Sequence, residues 1–162
     1  MRRALPWLLL ASAVAYGGDW SVRDTTDKMT GTVTGKSAYL PSLGTISLEF
    51  PFQGAQPVML FVDQRSGGVT LAGLGVSRGQ FECLERECKF RVRFDDGPVE
   101  DWPMQPARSV SSVIAFRRPA QIAQRIRAAS RMRVEAKFFR NPYQVVEFDV
   151  SGLDGALPAA TP

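Results

Sequence analysis

From residue 45 to residue 150 the chain repeatedly places an apolar side chain at every second position. Thr45–Phe52 reads TISLEFPF, with Ile46, Leu48, Phe50 and Phe52 on one side and Thr45, Ser47 and Glu49 on the other. This alternation predicts a strand with one buried face. Pro51 puts the end of that strand at an edge or a bulge, because proline brings no N–H to a ladder. Pro57–Asp63 (PVMLFVD) is nearly all apolar and predicts a strand covered on both faces. In Val69–Ser77 the apolar phase passes from Val69 and Leu71 to Leu74 and Val76, and Gly73 at the slip predicts a β-bulge. Lys89–Asp95 sets Phe90, Val92 and Phe94 inward and Lys89, Arg91 and Arg93 outward, and Asp96-Gly97-Pro98 turns the chain. Val99–Met104 is expected as a short edge segment limited by Pro98 and Pro103, and Ser111–Phe116 as a further strand. Met132, Val134, Ala136 and Phe138 then alternate with Arg131, Arg133, Glu135 and Lys137. After a turn at Asn141-Pro142, Val146, Phe148 and Val150 alternate with Glu147 and Asp149.

One stretch changes period. In Pro119–Ser130, Ile122, Ala123, Ile126 and Ala129 recur at spacings of three and four, which predicts a helix with a single apolar stripe. Proline suits its first turn, where an N–H would have no partner, and Arg131 suits its end. About eight short strands with frequent turns and one helix near residues 119–130 predict an all-β fold, an antiparallel β-sandwich or open barrel.

The first fifteen residues carry another pattern. MRRALPWLLLASAVA has a basic start, an apolar stretch and Ala13-Val14-Ala15, which predicts a secretory signal cleaved after Ala15. The apolar run is short for a span, which needs about 20 residues. The expected organisation is a signal peptide over 1–15, one β-sandwich domain over 16–154 and a flexible tail over 155–162. Without Arg2 and Arg3 the net charge falls from +4 to +2, so the basicity is a weak argument for nucleic acid. The expected location is the periplasm or the exterior. Trp20 is expected to plug the core.

The chain has two cysteines, Cys83 and Cys88, and no histidine. A hairpin with Leu84-Glu85-Arg86-Glu87 as its loop sets Cys83 opposite Cys88, Phe81 opposite Phe90 and Gly79 opposite Val92. That register predicts a structural disulfide, which suits an oxidising compartment. A zinc site would need more ligands than two cysteines, and a redox motif would be C-x-x-C.

The absence of histidine removes Ser–His, Cys–His and imidazole acid–base catalysis. Carboxylates remain: Asp95, Asp96, Glu100 and Asp101 gather around one turn, where calcium binding or glycoside hydrolysis competes with ordinary solvated turn chemistry. Lys89, Arg91 and Arg93 form an outward basic row, and Arg131, Arg133 and Lys137 form a second. If the two strands are neighbours, a cationic face results, with Glu147 and Asp149 as cross-strand partners for part of it.

The segments Trp20, Asp27-Lys28-Met29-Thr30-Gly31, Gly79-Gln80-Phe81 with Cys83, Cys88, Val92-Arg93-Phe94-Asp95-Asp96-Gly97-Pro98 and Glu147-Phe148-Asp149-Val150-Ser151-Gly152-Leu153 resemble a family of small secreted bacterial proteins without assigned function. The opening Trp20…DKMTG stretch is also similar to periplasmic accessory proteins associated with type VI secretion. These resemblances imply a role in the cell envelope and carry over no functional residue. The expected function is a non-enzymatic periplasmic or secreted binding protein without cofactor or metal, acting on a protein or envelope component. The alternative is an inhibitor or immunity protein against a toxin or hydrolase. The candidate contact residues are Leu84, Glu85, Arg86 and Glu87 at the stapled loop, with Lys89, Arg91 and Arg93 beside it.

Overall fold

The structure, a computed structural model, describes residues 17–83, 88–106 and 112–160. The antiparallel all-β class expected from the alternation holds. Nine strands form one sheet: β1 (Ser21–Thr26), β2 (Val33–Pro41), β5 (Val58–Arg65), β6 (Gly68–Val76), β9 (Val113–Phe116), β8 (Val99–Pro106), β7 (Lys89–Phe94), β10 (Arg131–Lys137) and β11 (Tyr143–Asp149), in that spatial order. A two-residue pair, β3 (Ile46–Ser47) and β4 (Ala55–Gln56), stands apart, and the helices are α1 (Pro119–Arg127) and α2 (Leu153–Ala156).

The sheet remains open but curls until its two flanks meet. Leu43, just after β2, donates its N–H to the Glu147 carbonyl of β11 at 2.8 Å, and Gly18 donates to the Ser151 carbonyl at 2.8 Å. Trp20 lies half-buried against the core, and its indole N–H reaches the carbonyl of Ser151 at 3.1 Å. The concave side holds one apolar cluster, including Leu60, Leu74, Phe90, Met104, Phe116, Met132 and Phe148. The predicted helical stripe enters that cluster, with Ile122, Ala123 and Ile126 buried, and α1 packs on β6 and β9.

Several expectations need correction. Thr45–Phe52 is strand only at Ile46–Ser47. Leu48 is still buried, but Phe50 is 73% exposed, because the chain turns there and Phe52 donates its N–H back to the Glu49 carbonyl at 3.0 Å. The bulge in β6 falls at Thr70, since Asp63 pairs with Leu71 and Gln64 with Val69. Gly73 has a different purpose. A Cβ there would lie 2.2 Å from the Ile114 carbonyl oxygen and 2.7 Å from Phe61, which crosses it from the opposite position on β5. Val99–Met104 is not an edge: β8 runs eight residues and lies between β7 and β9. Pro103 stands opposite Lys89, and Met104 beyond it donates its N–H to the Cys88 carbonyl at 2.7 Å, so the bonding toward β7 continues past the missing N–H. The edges belong to β1 and β11. The chain from Gly155, expected to fray, contributes Leu157, 1% exposed, to the core cluster.

Candidate binding face

The outward residues of β8, β7, β10 and β11 form the most distinctive surface of the described chain. Register places them in rows across the sheet. One row runs Val99, Arg93, Arg133, Glu147; the next runs Asp101, Arg91, Glu135, Val145. Pro103 pairs with Lys89, Lys137 with Tyr143 and Arg131 with Asp149 at the margins. The two basic rows are therefore neighbours, as the cationic-face reading required, because β7 pairs with β10. They are also interleaved with acid. Arg91 meets Glu135 at 3.1 Å, and Glu147 takes both Arg131 at 2.6 Å and Arg133 at 3.2 Å. Arg133, as the leading cause, with Arg131 beside it, holds the Glu147 carboxyl below its ordinary value. Arg93 donates instead to main-chain oxygens of the following turn, Gly97 at 2.8 Å and Asp96 at 3.3 Å.

Apolar side chains stand among these charges. Val99 is 50% exposed, and Val145 and Tyr143 are each 63% exposed. A shallow hollow of about 130 Å³ lies between the two valines, lined by Arg91, Arg93, Arg133 and Glu135 as well. The sequence reading missed Val99, Val145 and Tyr143. The signal was present: Val145 precedes Val146, so one of the two had to point out of the core.

The disulfide forms between Cys83 and Cys88, with Cα atoms 5.4 Å apart. It does not staple the expected hairpin. Both edges of β7 are already occupied, by β8 and β10, so residues 80–83 pair elsewhere. Phe81 bridges Phe138, Glu82 donates to the Lys137 carbonyl at 2.8 Å and Phe139 donates to the Gln80 carbonyl at 2.9 Å. The bond thus ties a crossing segment, docked beyond the end of β10, to the start of β7. Leu84, Glu85, Arg86 and Glu87 lie outside the described residues. Lys89 and Arg91 are exposed and Arg93 half-buried on the outer face.

The carboxylates around the turn disperse. Asp95, at φ 47°, accepts the N–H groups of Ser130 and Arg131 at 3.0 and 2.9 Å. Glu100 points toward α1, where Arg125 grips both its oxygens at 2.6 and 3.0 Å and the Trp102 indole N–H adds a third bond at 3.2 Å. Asp101 faces outward opposite Arg91. A more polar groove of about 380 Å³ runs between β8 and α1 past Glu100, Asp101, Arg118, Gln121 and Gln124. Among the described residues no three His, Cys, Asp or Glu side chains converge as a metal cluster would require, and no helix is long and apolar enough to cross a membrane. Compared with known proteins, the chain matches no family model, no curated protein and no solved structure.

Proposed function

We propose that this chain is a non-enzymatic binding or accessory protein of the bacterial cell envelope, periplasmic or secreted, that holds a partner against the outer face of β7, β8, β10 and β11. The observation that carries the reading is the mixture on that face: exposed Val99 and Val145 set among guanidinium groups, with exposed Tyr143 beneath the Lys137 ammonium at 5.4 Å. Arginine and apolar side chains side by side are the composition of a protein-contact surface. The concave side is filled by α1 and the aromatic core, apart from the polar groove between β8 and α1, which offers no exposed apolar side chain comparable to Val99 and Val145. Export is supported by the pattern of residues 1–15 and by the disulfide, since such bonds persist in oxidising compartments.

The test is chemical cross-linking in envelope extract, comparing the native protein with a variant carrying Arg91→Glu, Arg93→Glu and Arg133→Glu. A stoichiometric partner should be captured by the first and lost by the second, with both giving the circular dichroism of the folded sheet at the temperature of the assay. Capture indifferent to these charges overturns the reading. The disulfide closing residues 84–87 into a short loop favours a second reading, an inhibitor or immunity protein that inserts this loop into a toxin or hydrolase. Under that reading, Glu85→Lys with Glu87→Lys, and not the face variant, abolishes capture.

A further inference from the structure

The charge arrangement inside the hollow narrows the chemistry of the partner, and this step rests on the reading just given. Arg93 and Arg133 stand directly opposite each other across the β7–β10 ladder. Like charges in that position destabilise a sheet. Arg133 is relieved by Glu147 at 3.2 Å and Arg91 by Glu135 at 3.1 Å. Among the described residues Arg93 is met only by neutral carbonyls of the turn, which fix its direction without cancelling its charge. The hollow therefore presents one guanidinium, that of Arg93, with no carboxylate partner among the described residues, beside the two that are paired and between two exposed valines.

We infer that the hollow receives a carboxylate side chain from an acidic segment of a protein partner, seated between Arg93 and Arg133, with the apolar residues two places before and after that carboxylate resting on Val99 and Val145. The Nε–H of Arg93 is held by Gly97 and that of Arg133 by Glu147, so the terminal N–H groups of the two guanidinium ions are the donors for an incoming carboxylate. Placed here, the carboxylate converts the opposition of two arginines into a shared clamp. The partner is a polypeptide and not a polyanionic glycan or lipid headgroup layer. Asp101, Glu135, Glu147 and Asp149 are interleaved with the cations of this face, so a uniformly anionic polymer meets repulsion along each row. An extended chain that carries an apolar residue, a carboxylate and an apolar residue at every second position turns all three to this face, and meets Val99, the Arg93–Arg133 pair and Val145 in order.

The probe is a peptide with a Val-Ser-Glu-Ser-Val core between Gly-Ser flanks, titrated into the ¹⁵N-labelled protein. The peptide should move the amide signals of Arg93, Val99, Arg133 and Val145. The pair Arg93→Gln and Arg133→Gln should weaken it by about tenfold or more, as loss of a charge-assisted hydrogen bond does, while the variant keeps the dispersed amide spectrum of the folded sheet. The peptide's glutamine counterpart should bind correspondingly less. If heparin or phosphatidylglycerol vesicles move the same signals at lower concentration than the peptide, the partner is a polyanion and the inference fails. It fails alone if the peptide leaves the hollow unmoved while envelope capture still depends on the charge of the face. Both proposals fail if capture ignores that charge.

Discussion

Glu147 shows how one side chain organises the outer face. It bonds Arg131 and Arg133 together, and they hold its carboxyl below the ordinary value of 4.5. A folded-state pKa that is depressed stabilises the protein above the unfolded value and loses that contribution as pH falls through the folded one. Glu147→Gln should therefore lower stability at pH 7 by less than about 1 kcal/mol, since these groups are partly exposed. Urea denaturation of variant and native protein should converge in strong acid, below the folded pKa of Glu147. A difference that persists there assigns the role of Glu147 to packing and not to charge. The sequence could suggest this partnership, because Glu147 was the natural cross-strand mate of the basic row. It could not reveal that Arg93 lacks such a mate, which depends on register.

At the level of elements, the disulfide holds a crossing segment and not a hairpin. Closing so short a loop stabilises by about 2 kcal/mol on the chain-entropy model. Cys83→Ser with Cys88→Ser should cost about that much in denaturant and leave the circular dichroism of the sheet unchanged, because the main ladders do not pass through the bond. Adding reductant to the native protein should reproduce the loss. Elements with a buried face were legible: β7, β10, β11 and α1 lie where alternation or the helical stripe placed them. Those without one were not. In β1, SVRDTT, one residue is half-buried and five are exposed, so no apolar rhythm exists to read. In β2 full burial begins only at Ser37 and Ala38. Thr45–Phe52 failed in the opposite way, since its alternation continued through a turn that sends Phe50 to solvent. Periodicity reports burial, and it reports pairing only where the two coincide.

For the molecule as a whole, the curl of the sheet brings the residues before β1 against those after β11. Trp20 is the fastener, half-buried and bonded to the Ser151 carbonyl. Trp20→Ala should cost about 2 kcal/mol, below the range for a fully buried tryptophan, and speed amide exchange first in β11. Exchange that rises evenly across the sheet would show that the flanks do not meet through this side chain. The curl has a further effect. With α1 occupying its inside, β7 and β10 carry two separate messages: even-numbered positions, such as Phe90, Val92, Met132 and Val134, answer to the core, and the odd-numbered ones face outward. Variation in the second set can alter the outer chemistry without repacking the first, so a lineage built on this body is free to change its surface while inheriting its shape intact.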